Sequence, residues 1–283
     1  MNVETKIEIL EWYERQPRSL TPEFISAIPW DSVRKYPVDS SLIPVLLYMR
    51  DVETLTDMYY MEMRRTPTGR DPVIGKFMER WGVEEATHGE VLNRFLVETG
   101  IDIADDWKTA VRASVSNSYR FNTYLITTLT NLIGRKFTAT HMTFGAIHEM
   151  TTAQAYRRMI DLARHPVLTL ILTAIIREES AHTQFYLRMA RRELAVNETA
   201  KRLARRMIDS FWCPVGQGSK PKRQTDYVIS TLFGARGALA ILDKTVTQRV
   251  QQLPGFAGLT RINEKLEKIC SENIPIMGEW QTS

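Results

Sequence analysis

The sequence predicts an all-α fold, a four-helix bundle core with further helices at both ends. Three observations lead there. Alternating strand patterns are scarce along the 283 residues, whereas apolar residues recur at three- and four-residue steps almost throughout. Caps and breakers fall at intervals that suit long helices. A short motif also occurs twice, as Glu84-Glu85-Ala86-Thr87-His88 and as Glu178-Glu179-Ser180-Ala181-His182. Residues three apart share a helix face, so Glu85 meets His88 and Glu179 meets His182. Two such helices, with one Glu from each of two more, form the ligand set of a carboxylate-bridged dinuclear metal site in a bundle.

The elements follow in order. Ser40-Ser41 precedes an amphipathic stretch to about Arg65, with Pro44 tolerable in its first turn. Asp71-Pro72 pairs a cap with proline at the first helical position and starts a helix to Gly100. A third stretch runs from about Asp105 to Gly134, and a fourth from about Phe137 to Arg164, before His165-Pro166. A fifth starts there and ends near Asn197. Pro214 to Ser219 is a loop rich in Gly, Pro and Ser, and helices are expected from Asp226 to Gln252 and from Leu259 to Cys270. No linker divides the chain. It reads as one domain over 1–283, with a metal-binding core at about 41–196 and a C-terminal helical extension at 197–283.

Composition excludes several classes. With 43% hydrophobic and 25% charged residues, the chain resembles soluble globular proteins. Met1 to Arg15 is charged throughout, so no signal peptide is expected. Leu42 to Met49 and Pro166 to Ile176, the longest apolar runs, are too short to span a bilayer. Cys213 and Cys270 make no disulfide framework, and a reducing cytoplasm is the simplest setting. The net charge of +4 is uneven: Tyr186 to Arg223 holds ten Lys/Arg against three Asp/Glu. That stretch suits either an acidic partner or a solvated helix face. No nucleic-acid partner is expected.

Stepping by four and three through the first motif gives Trp81, Glu85, His88, Leu92 and Phe95; through the second, Ile175, Glu179, His182, Tyr186 and Met189. Both charged pairs sit inside apolar stripes, where an uncompensated carboxylate is very costly. A metal is one compensation, an ion pair with Arg or Lys another. Two more stripes carry an interior Glu: Met142, Gly145, Glu149, Thr152, Tyr156, Met159, and Leu46, Met49, Glu53, Thr56, Tyr60, Met63. The expected ligands are Glu53, Glu85, His88, Glu149, Glu179 and His182, with Asp51 and Asp57 as competitors for the Glu53 register. Four carboxylates and two divalent cations make a neutral cluster, as a dry interior requires. One imidazole per metal among oxygen ligands favours iron or manganese over a thiolate-loving ion. Metal-bound histidine usually donates its second N–H to a carboxylate. Glu178 is expected to serve His88, and Glu84 to serve His182, crosswise.

At these residues the chain resembles the soluble acyl-ACP desaturases of the ferritin-like superfamily. Their first motif has the form Glu-Glu-x-x-His-Gly, here Glu84 to Gly89, followed by a similar Val91 to Leu96. Their second is usually Asp-Glu-x-x-His, with Glu178 in place of Asp here, and Glu149-Met150-Thr151-Thr152 matches a Thr three residues after a lone Glu ligand. The resemblance covers roughly Glu53 to Arg192. It implies a homodimer in which two iron ions activate O2 and two hydrogens are removed from an acyl chain on acyl carrier protein, with electrons from a ferredoxin-type donor. It also implies that Thr152 helps handle protons and oxygen. Met58, Tyr59, Phe77, Phe144 and Phe185 are candidates to line an apolar slot or plain core. Another diiron oxygenase, a hydroxylase or amine N-oxygenase acting on a small molecule, is the alternative reading.

Overall fold

A computed structural model describes residues 3–272. Among them every regular element is helical, and the β-bridge between Gln217 and Lys220 is isolated. The part of the expected C-terminal extension after residue 272 lies outside the described residues.

The N-terminal segment forms two short helices. α1 (Lys6–Glu14) opens with a capping box between Thr5 and Glu8, and α2 (Pro22–Ala27) is capped by Thr21. The bundle follows: α3 (Ile43–Thr54), α4 (Thr56–Arg64), α5 (Pro72–Glu98), α6 (Trp107–Ser114), α7 (Asn117–Ile133), α8 (Thr138–Ala163) and α9 (Pro166–Val196). The Asp71 carboxylate accepts the free N–H groups of Val73 and Ile74, and His165 Nδ1 accepts that of Leu168. Both long helices then begin with proline at the first position, as expected. α8 packs along α9 and α3 along α5, while α1 lies across α5 and α9.

The C-terminal part comprises α10 (Glu198–Phe211), α11 (Lys222–Phe233), α12 (Ala238–Leu242), a π turn at Asp243–Thr247, α13 (Gln248–Gln251) and α14 (Arg261–Ser271). α10 covers α8 and α9, and α11 covers α3, α8 and α14. α10 was not among the expected helices, although Asn197 caps it and its apolar face is regular.

Three expected helices are broken, each for a local reason. The stretch to Arg65 bends at Leu55, where the Thr54 hydroxyl donates to the Arg50 carbonyl and competes with the helix ladder. The stretch from Asp105 is interrupted at Ser116, which caps α7 through the Tyr119 N–H. The stretch from Asp226 breaks between Gly234 and Gly237, the latter at φ 84°.

α7 is inverted. It buries Thr127 and Thr130 and exposes Phe121, Tyr124, Leu125, Ile126, Leu129 and Leu132, the last 84% accessible.

The bend after Glu53 brings α3 close against α5 at Gly89. A Cβ there would lie 2.9 Å from Thr54 Oγ1 and 3.4 Å from the Thr54 amide nitrogen. Gly89→Ala is therefore expected to destabilise the chain by about 1–3 kcal/mol in urea unfolding, as overpacking does. An unchanged midpoint would mean that the two helices part without strain.

Candidate metal centre

The four bundle helices each deliver one ligand-type group or pair to a common interior point. α3 contributes Glu53, α5 Glu85 and His88, α8 Glu149, and α9 Glu179 and His182, all buried. They fall into two overlapping groups: Glu53, Glu85, His88 and Glu179 form one, and Glu85, Glu149, Glu179 and His182 the other. Within each group the candidate donor atoms lie within 4.8 Å of one another. Glu85 and Glu179 belong to both.

The inward atoms are arranged alike in both halves. His88 Nδ1 faces Glu179 Oε1 at 3.5 Å, with Glu53 Oε2 and Glu85 Oε2 at 3.8 Å. His182 Nδ1 faces Glu85 Oε1 at 3.1 Å, Glu179 Oε2 at 3.6 Å and Glu149 Oε2 at 3.8 Å. These approaches lack hydrogen-bond alignment. Both His Nδ1 atoms, both Glu179 oxygens and Glu85 Oε1 are buried without a hydrogen-bond partner. A buried polar atom without a partner is costly. Here the orphaned atoms converge, with the donor chemistry of a carboxylate–imidazole metal site. The residues therefore fit metal binding.

The outward atoms are fully engaged. His88 Nε2 bonds Glu178 Oε2 at 2.9 Å, and His182 Nε2 bonds Glu84 Oε2 at 2.8 Å, the crosswise arrangement expected from sequence. Glu178 Oε1 accepts the backbone N–H groups of Ser19 and Leu20. Glu84 accepts from the Tyr13 hydroxyl and Arg80 Nε, each at 2.7 Å. The Glu53 and Glu149 carboxylates are held by the Tyr156 hydroxyl and by Trp81 Nε1, respectively. Sequence reasoning missed these outer partners. Trp81 and Tyr156 stood in the stripes as apolar positions, and nothing in residues 13–20 marks them as neighbours of the motifs.

The competitors for the Glu53 register are elsewhere. Asp57 pairs with Arg112 on the surface, and Asp51 is held by Arg50 and by Lys220 Nζ at 2.6 Å. The remaining histidines also have other partners: His141 bonds Thr68, and His148 and His165 bond the Cys213 and Val33 carbonyls.

Two cavities meet at the centre. One, of about 190 Å³, is bounded by Tyr59, Trp81, His141, Phe144 and the carboxylates. The other, narrower at about 60 Å³, runs between Tyr156 and the apolar Leu232, Phe233 and Leu266. They share Val52, Glu53, Thr152 and Val215 as walls. From His141 to Tyr156 along α8 the lined path is about 22 Å at 1.5 Å per residue. Tyr59 and Phe144 of the candidate slot residues line it. Phe77 and Phe185 do not: they stack at 3.7 Å as core, and Met58 packs near Leu55 and Trp107. The basic stretch after Tyr186 is largely neutralised, since Arg188, Arg192, Lys201, Arg205, Lys220 and Lys222 all pair with acids.

The fold and site thus define an all-α protein with a buried double carboxylate–histidine centre beside an apolar cavity. A family model described as fatty acid desaturase matches residues 53–215, more than half of the chain. The chain belongs to that family. The matched span holds all six converging residues and Thr152. No curated protein matches the chain. Among the described residues no helix is long and apolar enough to cross a membrane.

Burial sets the protonation of these side chains. It pushes Glu53 up to about 8, helped by the neighbouring Glu85, and raises Glu149 well above the carboxylate range, helped by Glu179 and Glu85. Burial also opposes charge on both histidines, but the carboxylates around them prevail and raise them well above their usual value. Near neutral pH the metal-free centre therefore holds protons that cations must displace. Metal affinity should rise with pH through about 8, where Glu53 gives up its proton, and fall as pH drops. Calorimetric titration at pH 7 in buffers of different ionisation enthalpy should show more than one proton released on loading. No proton release would contradict the buried protonated centre.

Proposed function

We propose that this chain is a diiron, O2-dependent desaturase that introduces a double bond into an acyl chain carried on acyl carrier protein. The observation that supports it most is the convergence of orphaned carboxylate and imidazole atoms at a point where the four carboxylates also line a largely apolar cavity. Glu53, Glu85, His88, Glu149, Glu179 and His182 would hold the two ions, with Glu85 and Glu179 between them. Bound iron would supply, with O2, the oxidant that an unactivated C–H bond needs. A saturated –CH2–CH2– unit, O2, two electrons and two protons give –CH=CH– and two waters. The electrons come from a ferredoxin-type donor.

The protein's own part is to bind, orient and exclude water. The apolar walls about Leu232, Phe233 and Leu266 take the chain, and Glu53 and Thr152 border both cavities, so a chain threaded through would pass the carboxylates. Thr152 presents a hydroxyl there, suited to relaying a proton rather than binding a metal. The Glu84 and Glu178 carboxylates fix the histidine tautomers, since each accepts the hydrogen bond of an Nε2–H and leaves Nδ1 inward.

The larger assignment follows the same reading. The hydrophobic core runs unbroken from Ile9 to Leu266, which supports one ferritin-like domain. We propose a homodimer in the cytoplasm, formed through the apolar outer face of α7. That face sets Phe121, Tyr124, Leu125, Leu129 and Leu132 side by side in the open, an apolar patch of the kind a protein interface covers. Leu125→Glu with Leu132→Glu should convert a dimer to a monomer in sedimentation velocity. A monomeric wild type, or a double variant that stays dimeric, would overturn this interface.

The test of function is turnover with iron(II), reduced ferredoxin, O2 and a saturated acyl chain on acyl carrier protein. The expected product is the same chain lacking two hydrogens. A hydroxylated product, or activity on a free small molecule alone, would favour the other diiron oxygenases. Thr152→Val should keep its metal and form less product per O2 consumed. Wild-type coupling in that variant would reduce Thr152 to packing.

A further inference from the structure

A second polar pocket lies behind the metal-bearing helices, away from the cavities. It has a volume of about 170 Å³ and is walled by α8, α9, the π turn and α13. Its α8 and α9 wall positions include Met150, Ala153, Ser180 and Thr183. Each directly follows Glu149, Thr152, Glu179 or His182 in sequence. One residue turns a helix by about 100°, so the same two helices show carboxylates and imidazoles to one side and this pocket to another.

The pocket is rich in donors and has no acid in its wall. Arg157 from α8 and Arg249 from α13 both enter it, with Gln154, Thr183 and Gln184. Among the described residues none of these five side chains has a hydrogen bond or ion pair. Thr183 lines the pocket, is only 4% exposed as a residue, and its hydroxyl makes no hydrogen bond among the described residues. Ser180 and Thr245 at the rim donate to helix carbonyls instead. Partial burial and repulsion from Arg249 both lower the Arg157 pKa. The two arginines thus line one pocket whose wall holds no acid. Like charges brought together at a pocket of hydroxyls and carboxamides are the arrangement that binds a multiply charged oxyanion.

We propose that this pocket is a binding site for phosphate or a phosphate monoester, held between Arg157 and Arg249 with Thr183 and the two glutamine side chains as further partners. The site is separate from the proposed turnover chemistry and stands whether or not that reading holds. Planar guanidiniums match phosphate oxygens in pairs, and the pocket exceeds the about 30 Å³ share of one water several-fold.

The experiment titrates the full chain with inorganic phosphate, and separately with methyl phosphate, by calorimetry at constant ionic strength set with chloride. Saturable binding is expected. Arg157→Gln and Arg249→Gln should each weaken it by about tenfold or more, as loss of a charge-assisted hydrogen bond does. Both arginines are exposed, so these variants should fold. Thr183→Val should weaken binding without removing surface charge, and Arg202→Gln, which removes one positive charge on α10, should leave it unchanged. Binding of methyl phosphate with the same loss in the variants assigns the site to monoesters; binding of inorganic phosphate alone assigns it to the free ion. No saturable binding of either probe, or equal weakening by Arg202→Gln, would overturn the site.

Discussion

Everything in this molecule turns on buried negative charge. Glu53, Glu85, Glu149 and Glu179 stand in the middle of a helical core, between Trp81, Tyr156 and Tyr186. No Arg or Lys is paired with any of them among the described residues. A bundle cannot keep four bare carboxylates there. Without cations the centre must take up protons, and the upward shifts of Glu53 and Glu149 express that demand. With two divalent cations the same set would be neutral, and the orphaned Nδ1 and carboxylate oxygens would be satisfied together.

The rest of the fold is a support for that set. The two histidines are held from outside by Glu178 and Glu84, and those by the N-terminal segment: Tyr13, Ser19 and Leu20 reach both carboxylates. Arg80 adds a charge-assisted bond to Glu84; burial resists ionisation there, yet His182, Arg80 and Tyr13 bring that carboxyl down to about 2. The outer carboxylates are therefore anions that hold imidazole protons, while Glu53 and Glu149 within are the ones that store protons. On the other side the C-terminal helices supply the apolar wall of the second cavity. Tyr48 binds the Val215 carbonyl and Thr225, and Tyr59 binds Ser219, so the loop before α11 is fastened to α3 and α4.

The all-α fold and the convergence of six residues were legible because helical period and charge speak to the same question. A carboxylate inside an apolar stripe is a local anomaly, and four of them on four helices have few solutions. The crosswise Glu84–His182 and Glu178–His88 pairs were legible for the same reason: a residue one step from a ligand must point to the next helix. Other features depend on contacts that sequence spacing does not encode. Tyr13 and Ser19 are far from both motifs along the chain. Phe77 and Phe185 are near the ligands in sequence but stack on each other away from the cavities. The bend at Leu55 required the Thr54 hydroxyl to choose the Arg50 carbonyl, and the break at Ser116 required a serine to act as a cap inside an otherwise helical run. The apolar outer face of α7 was visible as residues but not as exposure, since its threonines would ordinarily be the solvent side.

The most direct measurement is anomalous X-ray scattering from crystals of the iron-loaded protein. The account expects two iron peaks per chain, one beside Glu53 and His88 and the other beside Glu149 and His182, with Glu85 and Glu179 between them. A fully folded protein with no bound metal, or with a single ion on the surface, would contradict it, because the buried carboxylates would then be balanced by protons alone.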